Sequence, residues 1–247
     1  MNALIMVGLG LSLITPQRSG TDLLTKHVSA LQDAKSLSVV FTVQAIPSAP
    51  QEYRIDFSRP GMAKIVTPKG FILTDGKTVW EYYKDSNEYV EYPGGLKEIM
   101  EHFMQEDVAP WAAFFLKDQF KSVKDATIGK QTVVKGLKVI PVSFTVDANK
   151  SKVATFFIDP ATGVAQGATF KAARAGDSSE VIILAKEIKL GQTELDNSVF
   201  TFEAPSGAKK VEYARHDLEK WYTNLDEALK AAKASNRMVF LDFGTEW

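Results

Sequence analysis

The chain has 247 residues, of which 45% are hydrophobic and 24% are charged, and its formal net charge is -1. These values are typical of a globular protein that is large enough to bury a sizeable core. Nucleic-acid binding depends on clustered positive charge, and Lys and Arg nowhere form a run of about five, so the composition argues against nucleic acid as the main partner. The absence of cysteine excludes a disulfide framework, a thiolate nucleophile and a cysteine-based metal site within these residues.

Residues 1–19 are predicted to be a secretory signal peptide. An apolar run from Ala3 to Ile14 precedes a polar stretch that contains Pro16. A membrane span needs ~20 apolar residues, so the run is too short for a stable transmembrane span and matches the apolar region of a signal. The alternative is a disordered start. We therefore expect a periplasmic or otherwise exported protein that is soluble after signal removal.

One amphipathic helix precedes a long series of strands. Residues 21–34 place apolar side chains on one helical face, with Thr21 or Asp22 as the predicted N-cap. Strand patterns follow at 36–46 and 51–60, and four shorter segments separated by tight-turn residues continue the series. Sequential strands joined by such turns predict an antiparallel meander.

The alternation of a strand is lost between residues 95 and 118, where the pattern becomes helical with a break at Pro110. Methionine and aromatic side chains on these two helices are large and adaptable, which suits the cover of a sheet. The alternative is that they only fill the core. Strands resume from 131 to 205. The predicted fold class is mainly β (α+β), a large antiparallel sheet of about ten or eleven strands wrapped over about three helices.

Four segments of the sequence resemble the outer-membrane lipoprotein carriers, the LolA-like family. They are SLSVVFTVQ (36–44), SRPG (58–61), TDGKTVWEYY (74–83) and LDNSVFTFEAPSGAKKV (195–211). The resemblance implies that residues 20–211 form an unclosed β half-barrel whose concave apolar face is lidded by helices. It also implies a carrier that moves the acyl chains of lipoproteins or other lipids across the periplasm, between membrane-bound donor and acceptor proteins.

The resemblance also implies roles for individual residues. Arg59 matches the arginine of the family's Arg-Pro motif, which helps to hold the lid closed, and its guanidinium has five donors for lid carbonyls. The alternative is an ordinary arginine at a strand end. Trp80 and Tyr82 share one face of their strand, so both line the cavity or both pack outside it. The residues assigned to the cavity and lid are Phe41, Val43, Arg59, Phe71, Leu73, Trp80, Tyr82, Ile99, Phe103, Trp111 and Phe115.

The sequence offers no candidate for catalysis within residues 21–211. His27, His102 and His216 are far apart and lack a flanking ligand pattern, so each is interpreted as a surface or helix-face histidine. Motifs of serine hydrolases, zinc proteases and P-loop proteins do not occur. We therefore expect no catalytic residue, no cofactor, no metal and no enzymatic activity in the residues given.

Residues 212–247 are predicted to contain a linker and the truncated N-terminal part of a thioredoxin-like domain. Asn224 and Glu227 have the spacing of a capping box, and an amphipathic helix of about ten residues follows. The ending RMVFLDFGTEW resembles the first strand of a thioredoxin-like domain, in which Asp242 matches the buried aspartate and Trp247 the tryptophan before Cys-x-x-Cys. The alternative is a helix and strand that dock on the edge of the half-barrel.

Two functions of different classes follow from these patterns. The first is a periplasmic lipid or lipoprotein carrier that shields acyl chains in transit. The alternative is an exported thiol-disulfide oxidoreductase whose half-barrel recruits a lipidated or membrane-bound client, with its redox motif beyond residue 247. A weaker third hypothesis is an envelope-stress sensor that binds mislocalised lipoproteins.

Overall fold

The computed structural model describes residues 19–103, 106–146, 152–174, 177–212 and 222–234. Helices span α1 (Gly20–Gln32), α2 (Leu96–Phe103) and α3 (Leu225–Ala234), and 3₁₀ helices span Glu106–Phe114 and Asn197–Phe200. The strands are β1 (Ser36–Ala45), β2 (Gln51–Ser58), β3 (Met62–Thr67), β4 (Gly70–Thr74), β5 (Thr78–Tyr83), β6 (Glu88–Pro93), β7 (Thr127–Ile128), β8 (Thr132–Val134), β9 (Leu137–Thr145), β10 (Lys152–Ile158), β11 (Ala165–Arg174), β12 (Asp177–Gly191) and β13 (Lys209–Lys210).

The strands of the described part of the chain form one open sheet in the order β13-β6-β5-β4-β3-β2-β1-β12-β11-β10-β9-β7, with β8 paired to β9. All pairs are antiparallel except β13 with β6. The central strand, β1, pairs Leu37 with Phe57 of β2 and with Leu190 of β12. The prediction of a mainly β fold with a large, unclosed antiparallel sheet and few helices is confirmed.

Helix α1 begins earlier than the sequence pattern predicts. Ser19 is the N-cap, and it forms a capping box with Asp22 in which each side chain accepts the backbone N–H of the other residue. The prediction of Thr21 or Asp22 as the N-cap is therefore wrong. A capping box satisfies two of the N–H groups that a helix start leaves unpaired, which favours the register that uses Ser19.

One face of the sheet carries the core and is covered by helices. Alternate residues of β1 and β2 point to this face, including Phe41, Ile55 and Phe57, and all three are buried. Helix α1 contributes Leu24 and Leu31, which are also buried in the same apolar cluster. This face is called the covered face below, and the opposite one the outer face.

The segment after β12 crosses the outer face instead of adding a strand. FTFEAP (200–205) is predicted as a strand, and this is wrong: its first residue ends the 3₁₀ helix Asn197–Phe200 and the rest is irregular. The reason is that its rings pack onto the sheet and its backbone joins no edge there. Phe202 stacks on Trp80 with ring centroids 5.6 Å apart and planes 2° apart. The chain reaches an edge only at β13, beside β6.

Helix α3 has the predicted length of ten residues. The Asn224 side chain caps it by accepting the backbone N–H groups of Asp226 and Glu227. The signal-peptide prediction, except for Ser19, and the predicted strand with Asp242 and Trp247 lie outside the described residues. Both the signal and the thioredoxin resemblance stay predictions. Among the described helices, none has the length and apolarity needed to cross a bilayer.

Candidate functional site

The centre of the covered face is closed by a lid, defined here as residues 106–123. Its first part is the 3₁₀ helix Glu106–Phe114, which contains Pro110. Proline cannot donate the backbone bond of an α-helix, and this segment is 3₁₀ throughout instead of breaking at the proline, so the predicted break at Pro110 is wrong. Trp111 is fully buried, its ring centroid lies 4.8 Å from that of Phe41, and its Nε1 donates to the Ala165 carbonyl at 3.0 Å.

Arg59 lies at the end of β2 and contacts both the lid and helix α1. Its Nη2 donates to the carbonyl oxygen of Phe114 at 2.6 Å and to that of Gln32 at 3.3 Å, and its Nε donates to that of Ala34 at 3.4 Å. The guanidinium carbon also lies 4.5 Å from the centroid of the Phe114 ring. The side chain of Gln32 donates to the same Phe114 carbonyl at 3.1 Å. One cation thus joins the end of α1 to the lid.

His27 makes a second connection between α1, the lid and β11. Its Nε2 lies 2.8 Å from the Pro110 carbonyl oxygen, and its Nδ1 lies 3.2 Å from the backbone N of Ala165. A carbonyl accepts and an N–H donates, so this pair of partners fixes the neutral tautomer with the proton on Nε2. Burial lowers the pKa of His27 to about 4. The interpretation as a surface or helix-face histidine missed this role, because sequence alone does not show what faces α1.

A cavity of about 150 Å³ lies between the lid and strands β9, β10 and β11. Three phenylalanine rings of its wall pack against one another. The ring centroids of Phe120 and Phe156 are 5.4 Å apart, and those of Phe144 and Phe156 are 5.3 Å apart. The lining residues are Ala109, Gln119, Phe120, Ser122, Val123, Phe144, Thr145, Val146, Phe156 and Phe170. None of them was assigned to the cavity from the sequence, although the alternation in β9 and β10 places Phe144 and Phe156 on one face.

No protein-family model matches the sequence, and no curated protein sequence matches it. Solved structures do match. An uncharacterized conserved protein from Thermus thermophilus has a TM-score of 0.50 and 14% identity, over 79% of this chain and 100% of that chain. MucB, known from Pseudomonas aeruginosa in complex with MucA, has a TM-score of 0.50 and 15% identity over 75% of this chain. This sheet has their fold.

The match spans 63% of the MucB chain, which is less than two thirds of its length. A LolA superfamily protein from Nitrosomonas europaea is also among the similar structures, with a TM-score of 0.35 and 11% identity, over 75% of this chain and 99% of that chain. These identities are low, and the likeness at a TM-score of 0.50 concerns the fold alone. The chemistry of the site is therefore argued from the residues of this chain.

The predicted cavity residues divide between the two faces of the sheet. Phe41, Val43, Ile99 and Trp111 are buried in the apolar cluster of the covered face, and Phe115 packs partly buried against it. Arg59 lies at the rim of the lid, as described above. Phe103 belongs to α2, but its side chain lies outside the described part of the structure.

The placement of four other residues in the cavity is wrong. Leu73 pairs with Trp80, and Phe71 pairs with Tyr82, so these four side chains share one face of β4 and β5. That face is the outer one, because the Trp80 and Phe71 rings both contact Phe202 of the crossing segment. The alternative in which Trp80 and Tyr82 pack outside is the one that the structure shows.

Asp107 of the lid is partly buried beside Tyr53. Burial raises the pKa of Asp107, which lies in the lid. Tyr53 faces the same region, and its pKa is raised by burial and by the nearby Asp107 carboxylate. Within the described residues, no group of three or more His, Asp or Glu side chains is arranged to hold a metal ion.

Proposed function

We propose that the protein is an exported carrier that shields acyl chains of lipids or lipoproteins between the covered face and the lid. The observation that carries this proposal is the construction of the lid. An apolar segment with Trp111 and Phe114 covers an apolar sheet, and its polar connections come from a small set of side chains, chiefly Arg59, Gln32 and His27. Such a segment can leave the sheet as a unit.

Use of the covered face for a ligand requires that movement. Trp111 and Phe114 are fully buried between the lid and the sheet, so a chain reaches the apolar cluster below them only when the lid is displaced. We therefore propose that binding displaces the lid and that its apolar side chains then line the enlarged space.

The transfer free energies favour a protein that shields an acyl chain from water between membranes over one that extracts the chain from a bilayer. Burying an acyl chain gains ~0.8 kcal/mol per methylene relative to water, or over ~10 kcal/mol for a long chain. Relative to a bilayer the gain is near zero, because the lipid interior is equally apolar. A carrier of this kind protects the chain from water between two membranes, and the membrane-bound donor and acceptor are part of the proposal.

A matched pair of variants tests the proposed site in the full chain. Phe115 and Phe71 are both partly buried phenylalanines, but Phe115 packs on the covered face, 4.9 Å from Phe57, and Phe71 lies on the outer face. Fully burying such a side chain gains ~1.5–3 kcal/mol, and Phe115 is only partly buried. We therefore expect Phe115→Ser to cost ~1–1.4 kcal/mol, which weakens fluorescent fatty-acid binding about 5- to 10-fold. Phe71→Ser should leave the affinity unchanged. Wild-type protein that binds no probe and carries no lipid by mass spectrometry would contradict the proposal.

The thiol-disulfide oxidoreductase is a second proposal. Its support is helix α3, which the thioredoxin resemblance predicts at this place and length and which Asn224 caps. The reading frame after Trp247 tests it. A Cys-x-x-Cys motif directly after Trp247 is the expected result, and a frame without one removes the proposal.

A further inference from the structure

Positive charge is concentrated at the edge of the sheet where β7, β8, β9 and β10 lie. Residues 117–159 contain eight Lys and four Asp, and neither Arg nor Glu, whereas the whole chain has a formal net charge of -1. The described residues 117–146 and 152–159 are called the basic edge below. Six of its lysines are exposed: Lys117, Lys121, Lys124, Lys130, Lys135 and Lys138.

Apolar side chains are exposed along the same edge. Among the residues that the structure describes, nine large hydrophobic side chains are exposed, and five of them belong to the basic edge. They are Ile128, Val133, Leu137, Val146 and Val153. Ile128 pairs with Val142 of β9, and alternation puts Val142, Phe144 and Val146 on one face, so Ile128 and Val146 lie on the cavity side. The cavity reaches the surface there, because its lining residues Ser122 and Val146 are exposed.

This mixture of residues favours a lipid surface over a protein partner. Anionic headgroups attract lysines, and aliphatic side chains gain free energy when they enter the apolar region below the headgroups. Protein interfaces are instead enriched in Trp, Tyr and Arg and depleted in Lys, and residues 117–159 contain no Trp, Tyr or Arg. Lysines also keep a sheet edge from pairing with other chains, but that role does not account for the hydrophobic side chains exposed beside them.

We propose that the basic edge docks on an anionic lipid bilayer and places the mouth of the cavity against the membrane. The lysines contact the headgroups, and Ile128 and Val146 enter the bilayer surface beside the mouth. This rests on the proposed function and deepens it, because an acyl chain can then pass between the bilayer and the protein without crossing water.

Vesicle binding by the full chain tests this docking. Wild-type protein is expected to co-sediment with phosphatidylglycerol vesicles at low salt and to bind them more weakly as the salt concentration rises. Each lysine near such a surface contributes about a 5-fold gain in affinity, so Lys124→Gln/Lys130→Gln should bind about 25-fold more weakly. Lys69→Gln/Lys84→Gln removes the same charge from the exposed turns that follow β3 and β5, and it should bind like the wild type.

A second matched pair tests the apolar part of the surface. Ile128 and Ile46 are 41% and 46% exposed, and only Ile128 belongs to the basic edge. Ile128→Ser is expected to weaken vesicle binding about 3- to 8-fold, because an aliphatic side chain is withdrawn from the bilayer. Ile46→Ser should leave the affinity unchanged. Residues 1–19 are the same in all variants, so any affinity of their apolar run for lipid cancels in these comparisons.

The outcomes separate this inference from the proposed function. Equal affinities of the wild type and Lys124→Gln/Lys130→Gln for phosphatidylglycerol vesicles would overturn the docking surface. Heparin binding as tight as vesicle binding, together with no effect of Ile128→Ser, would assign the edge to polyanions and overturn the bilayer. Loss of vesicle binding in Lys124→Gln/Lys130→Gln with retained binding of a fatty-acid probe would support the inference. A wild type that binds vesicles but no fatty-acid probe, and carries no lipid, would contradict the proposed function alone.

Discussion

Replacing Arg59 by leucine is expected to speed the release of a bound fatty acid about 30- to 150-fold, because ~2–3 kcal/mol of lid stabilisation is lost. The guanidinium donates to three carbonyls: the Phe114 oxygen at 2.6 Å belongs to the lid, Gln32 is the last residue of α1, and Ala34 follows the C-cap of that helix. Bonds from a charged donor are worth ~1.5–3 kcal/mol each. The expected loss of lid stabilisation is set well below the energy of three such bonds, because Arg59 is only partly buried and the Gln32 side chain still donates to the Phe114 carbonyl.

The measurement is stopped-flow transfer of a fluorescent fatty acid from the protein to vesicles. Arg54→Leu is the matched control, because Arg54 lies on β2, the strand that Arg59 directly follows, and its guanidinium donates to Asp56 on the outer face. It should change stability without changing the transfer rate. Arg59→Lys keeps the positive charge but lacks the planar set of N–H donors of a guanidinium. Its transfer rate should lie between those of the wild type and Arg59→Leu. An unchanged rate in Arg59→Leu would remove Arg59 from the closing of the lid.

Acid is expected to destabilise the wild-type protein by about 2–2.5 kcal/mol more than it destabilises a His27→Gln variant, between pH 7 and pH 4.5. Burial lowers the pKa of His27 from 6.5 to about 4. Between these two values the unfolded chain binds a proton and the folded chain does not, so stability falls as the pH falls from 6.5 toward 4. Glutamine does not titrate, and the variant lacks this part of the acid sensitivity.

Urea unfolding of both proteins at the two pH values measures the difference. Ionisation of the other groups is common to both proteins and cancels in the comparison. His27→Gln is expected to be the less stable protein at pH 7, because the bonds to Pro110 and Ala165 need the imidazole geometry. Equal losses of stability on acidification would show that His27 is not held neutral in the folded chain.

The sequence predicted the elements well where the pattern of one strand or helix is sufficient. The strands from β1 to β6 and the helix before them follow from alternation, turn residues and one apolar helical face. The sequence did not show which face of each strand lies toward the lid. Trp80 and Tyr82 are as apolar as the residues opposite them, and only the pairing register and the crossing of Phe202 show that they lie outside.

Most of the polar side chains that contact the lid could not be predicted from the sequence, for the same reason. Arg59 was found through its Arg-Pro motif, whereas His27 and Gln32 have no neighbouring pattern in the sequence. Their partners are distant in the chain, such as the Pro110 carbonyl for His27 and the Ala113 carbonyl for Gln32. A backbone carbonyl has no sequence signal, so such contacts appear only when the fold is known.

The backbone of Ala165 has a kinetic consequence. Its N–H donates to His27 and its carbonyl accepts from Trp111, so α1, the lid and β11 meet at one residue. When Trp111 leaves the sheet, it loses its bond to the Ala165 carbonyl, which α1 and β11 hold in place. The lid is therefore expected to switch between a closed and an open state and not to loosen gradually. A gate of this kind limits how fast any ligand enters. The uptake rate should reach a plateau as the lipid concentration rises, at the rate of lid opening.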